Sequence, residues 1–135
     1  MSIAEDAPAT VGARDYEASY RVPADLAVVR EVVRTGSVAL GLPAMRAELL
    51  TLAVTELATN TLQHTTGGGR IRMWASGGRL LCEVTDQGPM RSLGRPMPAP
   101  DAIRGRGLAI VERLCDRVEI DAEPDGVRVR LTLDL

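Results

Sequence analysis

The stretch PAMRAELLTLAVTELATNTLQHTTGGGRIRMWASGGRLLCEVT (residues 43–85) decides the fold. Its first half repeats leucine, alanine and valine at helical spacing and begins on a proline, a favoured first-turn residue. This predicts a helix from about Pro43 to Gln63 or His64. Gly67, Gly68 and Gly69 must end it, because consecutive glycines are poor helix interior. The second half changes period. RIRMWA (70–75) and RLLCEVT (79–85) are apolar runs joined by Ser76-Gly77-Gly78, which signals a β-hairpin.

Upstream, YEASYRV (16–22) alternates enough to be a first strand. Pro23 then opens a helical pattern through Leu26, Val29, Val32 and Val33, with a break expected at 36–41. Downstream, 87–104 is rich in Pro, Gly and Arg and lacks periodicity. A loop of that length inside a compact domain is commonly a lid or a disordered segment. Leu108, Ile110, Val111 and Leu114 mark a third helix, and strands at 117–122 and 127–135 flank the turn Pro124-Asp125-Gly126. Runs of strands beside separate helices predict an α+β two-layer sandwich. Residues 1–14 read as a disordered tail, and 15–135 as one domain.

Composition narrows the chemistry. The chain has 135 residues, 45% hydrophobic and 25% charged, as expected of one globular domain. Aromatic residues make up 2% with no Phe, so the core must rest on aliphatic side chains and Met. A formal net charge of -2 leaves no basic footprint for nucleic acid. All 16 basic residues are Arg, which excludes any mechanism that needs a lysine, including a Walker-type phosphate loop. Any phosphate must be held by backbone N–H groups, Arg or a metal. No run approaches the roughly 18 apolar residues of a membrane span, and the acidic start does not resemble a signal peptide. Cys82 and Cys115 are too few for a zinc cluster and read as buried, reduced core residues, which fits a cytoplasmic protein.

Three local features stand out. In TELATNTLQH (55–64), Glu56, Asn60 and His64 recur every fourth residue and share one helix face. Such a polar stripe is either a solvated face or a site; Leu49, Leu50, Leu52, Val54, Leu57, Ala58 and Leu62 supply apolar bulk around the rest. Asp86-Gln87-Gly88 follows a strand, where a carboxylate can accept a hydrogen bond from an exocyclic amine and a glycine admits a ligand close to the backbone. Gly105-Arg106-Gly107-Leu108 precedes a helix whose N-terminus favours an anion.

Taken together and in this order, the three features resemble the boxes of the GHKL ATPases. TELATNTLQH is similar to the N-box, DQG to the first glycine box and GRGL to the second, and the likeness covers roughly 16–135. The short chain and its leading strand and helix are most similar to bacterial anti-sigma-factor serine kinases.

The resemblance implies a Bergerat ATP-binding fold, a mixed, mainly antiparallel sheet packed on helices, with ATP and Mg²⁺ as cofactors. Glu56 would be the general base. Asn60 would hold Mg²⁺, and His64 would approach phosphate. Asp86 would bind the adenine amine, with Gly88 against the base, and Gly105, Arg106, Gly107 and Leu108 would wrap the phosphates beneath a lid at 87–104. The implied partners are a sigma factor and an anti-anti-sigma (STAS-type) substrate, with a homodimer surface at 16–34. Two positions depart from the family pattern. Met90 replaces a second glycine of the first box, and Val127 with Arg128 follows Gly126 where the family usually places an adenine-anchoring threonine.

Overall fold

Alternation along the strands sorts their side chains into a helix-facing and an outer set, and this sorting builds the core. The computed structural model describes residues 15–64, 67–86, 112–123 and 126–135. Strand β1 (Tyr16–Tyr20) leads through a 3₁₀ turn (Pro23–Asp25) into helix α1 (Leu26–Leu40) and then helix α2 (Ala44–His64). The hairpin β2 (Gly69–Ser76) and β3 (Arg79–Asp86) follows, and β4 (Arg117–Glu123) and β5 (Gly126–Asp134) close the chain. The sheet order is β1-β2-β3-β5-β4, and every described pairing is antiparallel. The α+β two-layer expectation holds. The expected tail at 1–14 and loop at 87–104 lie outside the described residues, as does the expected third helix apart from 112–114, which are helical.

Ala18, Tyr20, Ile71, Met73, Leu80, Cys82, Val84, Val127, Val129, Leu131 and Leu133 face inward from the sheet. Val29 and Val33 of α1 and Ala47, Leu50, Ala53, Val54, Leu57 and Ala58 of α2 cover them. Burial of each large aliphatic side chain contributes about 1.5–3 kcal/mol. Leu49 and Leu52, which sequence reading placed in the apolar bulk of α2, are instead 41% and 47% exposed, because they lie on the helix face turned away from the sheet.

Strand β1 stops at Tyr20, short of the expected Val22. The Asp25 carboxylate accepts the backbone N–H groups of Arg21 (2.8 Å) and Val22 (3.3 Å), which turns the chain out of the sheet. The break expected at 36–41 is reduced to its last residue. Gly36 lies inside α1, and a Cβ there would come within 2.8 Å of both Met73 Cε and Tyr16 Cγ, so the glycine seats the helix against the sheet. Gly41 ends α1 by donating its N–H to the Ser37 and Val38 carbonyls. Helix α2 carries several β-branched threonines. Three of them, Thr51, Thr55 and Thr59, donate to the carbonyl four residues earlier at 2.7 Å, satisfying their hydroxyls within the helix.

Cys82 is buried and Cys115 half-buried, both as free thiols. Burial pushes the Cys82 thiol far up, and with help from Asp116 it pushes that of Cys115 up to about 12. Thiolate is the reactive form, so both should resist a thiol reagent at pH 8 and react on denaturation. Rapid labelling of Cys82 in the native protein would contradict this packing.

Candidate nucleotide site

Along α2 each residue advances about 100° and about 1.5 Å, so Glu56 and Asn60 sit one above the other about 6 Å apart along the axis. Both are half-buried. Each immediately precedes a residue of the buried face, Leu57 and Thr61 respectively, which places the pair at the border between core and surface. His64 is the last residue of α2, and its side chain lies outside the described residues.

Asp86 stands at the end of β3 in the same alternation as Leu80, Cys82 and Val84, so its carboxylate is on the helix side of the sheet. There the Thr61 hydroxyl donates to Asp86 Oδ1 at 2.6 Å, in preference to the Leu57 carbonyl at 3.2 Å. A hydrogen bond to a charged acceptor contributes about 1.5–3 kcal/mol. The structure thus joins the strand-end carboxylate to the residue next to Asn60, linking two of the three sequence features. Gly88, Gly105, Arg106, Gly107 and Leu108 lie outside the described residues.

Three further residues complete this end of the sheet, and the sequence reading gave none of them a role at the site. Tyr20 pairs with Gly69 across β1 and β2, and Gly69 pairs with Asp86 across β2 and β3. Because Gly69 has no side chain, the Tyr20 ring lies across it. A Cβ on Gly69 would collide with Tyr20 Oη and lie 2.8 Å from Thr85 O. Tyr20 is 1% exposed, and among the described residues Oη has no partner in proper hydrogen-bond geometry. Burial raises its pKa strongly; the adjacent Thr61 hydroxyl acts in the lowering sense, and the charge of Asp86 adds to the rise. Leaving such a hydroxyl unsatisfied costs about 1–3 kcal/mol. Gly126 closes the row from β5. A Cβ there would lie 2.9 Å from the Asp86 carbonyl oxygen, and its φ of 153° is one that side-chain-bearing residues rarely adopt.

A hydroxyl interrupting the apolar stripe Leu50, Val54, Leu57 was the sequence signal for Thr61. Tyr20 had only the alternation of β1. Of this row Asp86 is the half-buried member and offers an anionic acceptor that fits the exocyclic amine of a nitrogenous base, while Tyr20 and Thr61 are buried behind it. The Asn60 amide oxygen is a hard donor of the kind Mg²⁺ takes. Among the described residues no group of three or more His, Cys, Asp or Glu could hold a metal by itself. A metal here would be shared between a protein oxygen and phosphate.

The opposite face of the sheet carries different chemistry. Arg72 and Arg130 lie 4.8 and 5.9 Å from the Trp74 ring centroid, and Arg130 Nε pairs with Glu83 at 2.9 Å. A concavity of about 670 Å³ on that face contains none of the expected site residues.

The family model described as the histidine kinase-like ATPase domain matches residues 22–133. No curated protein matches the chain. No described helix is long and apolar enough to cross a membrane.

Proposed function

From the premise that this chain belongs to the histidine kinase-like ATPase domain family, and is therefore an ATP-binding domain of the GHKL type, we propose that it is a serine/threonine protein kinase. Its substrate is an anti-anti-sigma protein of the STAS type, and it acts as an anti-sigma regulatory factor in the cytoplasm. The observation that carries the catalytic part is the placement of Glu56 and Asn60 on successive turns of α2, beside the Thr61–Asp86 link. The anti-sigma role rests on the resemblance carried by the leading strand and helix.

ATP, when bound with Mg²⁺, would supply the phosphoryl group to the serine oxygen and leave as ADP, the metal offsetting phosphate charge. Glu56 accepts the proton of the attacking serine hydroxyl at its carboxylate. Asn60 offers its amide oxygen to the metal. Asp86 accepts from the adenine amine, with Thr61 holding its other side. His64, Gly88, Gly105, Arg106, Gly107 and Leu108 take their roles from the resemblance alone. Homodimerisation through 16–34 also comes from the resemblance, and it is further supported by the edge position of β1 among the described strands and by Val22 and Val28, 50% and 56% exposed.

A second reading is an ATP-gated binding regulator with little or no kinase activity. What favours it is Val127, buried and apolar at the start of β5, where a hydroxyl would have strengthened base binding. Both readings require nucleotide. Calorimetric titration of the full chain with ATP and Mg²⁺ should give saturable heat below millimolar nucleotide, and no heat at millimolar concentration would overturn both.

A further inference from the structure

At the Asp86 end of the sheet, the side chain that governs the carboxylate comes from the helix. Val127 follows Gly126 at the start of β5 and is buried and apolar, so it provides no hydrogen bond. Thr61 provides one from α2, at 2.6 Å to Asp86 Oδ1. Tyr20 lies behind it, its ring laid over Gly69 and its hydroxyl buried and, among the described residues, unpartnered. A carboxylate offers about four lone-pair sites. Fixing Oδ1 therefore sets the carboxylate plane while leaving capacity for a ligand N–H.

We propose that Thr61, backed by Tyr20, is the positioning and specificity-determining element of the base site, orienting Asp86 to select a 6-aminopurine nucleotide over a 6-oxopurine one. This rests on the reading of Asp86 as the base acceptor. A correctly oriented carboxylate accepts from the exocyclic amine of a 6-aminopurine, and it faces the lone pairs of the 6-oxo group with no proton between them. Once the Thr61 clamp is lost the carboxylate can turn, and the amine loses its partner more than the oxo group gains one. The Tyr20 hydroxyl lies beside that of Thr61, so it packs behind the clamp from the sheet side.

The test compares binding of ATP and of inosine triphosphate, each with Mg²⁺, to the full chain. Thr61→Val keeps the shape and removes the hydroxyl. It should weaken ATP binding about tenfold with inosine triphosphate nearly unchanged, so the preference collapses. Thr61→Ser should retain the preference, and Tyr20→Phe should reduce it in the same direction as Thr61→Val. If Thr61→Val does not fold, as judged by thermal melting, Thr61→Ala carries the same comparison. An equal loss for both nucleotides would make Thr61 a purely structural residue and overturn the proposal. An unchanged preference would overturn it as well. A wild-type protein that binds ATP but shows no preference defeats this inference alone, whereas one that binds neither nucleotide defeats the nucleotide reading beneath it.

Discussion

Glu56→Gln is expected to slow phosphorylation of the protein partner by about 10²–10⁴-fold, the usual contribution of a general base, while leaving ATP affinity close to that of wild type. The substitution keeps the shape and hydrogen-bonding capacity of the side chain and removes only its ability to take a proton. On the proposed reading, its position on α2, one turn before Asn60, would put it near the metal-bound end of the nucleotide and away from the base end at Asp86. Asn60→Ala should differ in kind, impairing Mg²⁺-dependent nucleotide binding itself. Single-turnover transfer from radiolabelled ATP, with binding measured in parallel, separates the two effects. If wild type transfers nothing to its cognate partner, or Glu56→Gln transfers as fast, the ATP-gated regulator becomes the better account.

Asp86→Ala carries the other large effect, a loss of about 10–100-fold in ATP affinity, as expected when a charged hydrogen-bond acceptor is removed. The fold should tolerate it. Thr61 loses an acceptor but has the Leu57 carbonyl at 3.2 Å to turn to, so its hydroxyl is not stranded. Thermal melting without nucleotide should therefore drop by only several degrees, about 1–2 kcal/mol, while binding falls far more. Undiminished ATP binding by Asp86→Ala would remove Asp86 from the base site.

The features that the sequence disclosed share one property, that their signal is local. The helix at 44–64 was legible because a proline opens it and a glycine run closes it. The hairpin was legible because Gly77 and Gly78 stand between two apolar runs. Glu56, Asn60 and Asp86 were legible as types at fixed spacing on predicted elements. What was missed depends on pairing between distant segments. Nothing local to residue 36 says that Tyr16 and Met73 will crowd it, so Gly36 looked like a helix breaker when it is a packing contact. Likewise Gly69 looked only like a helix stop. Its role as the gap that lets Tyr20 approach Thr61 and Asp86 follows from strand register, which no single segment encodes. Thr61 fell between the two cases, since its hydroxyl could be seen in the sequence but its acceptor lies 25 residues away.

The outermost strand and the strand-end carboxylate share a side chain, because Tyr20 belongs to β1 and its ring reaches the Thr61–Asp86 pair across Gly69. An occupant at the carboxylate and a protein paired with that edge, if both bind, would therefore meet at one phenol and could be thermodynamically linked through it. Such linkage is reciprocal. By whatever factor the small ligand changes the affinity for the large one, the large one changes that for the small by the same factor. Tyr20→Phe keeps the ring and removes the hydroxyl, so it would report how much of that exchange passes through a single oxygen.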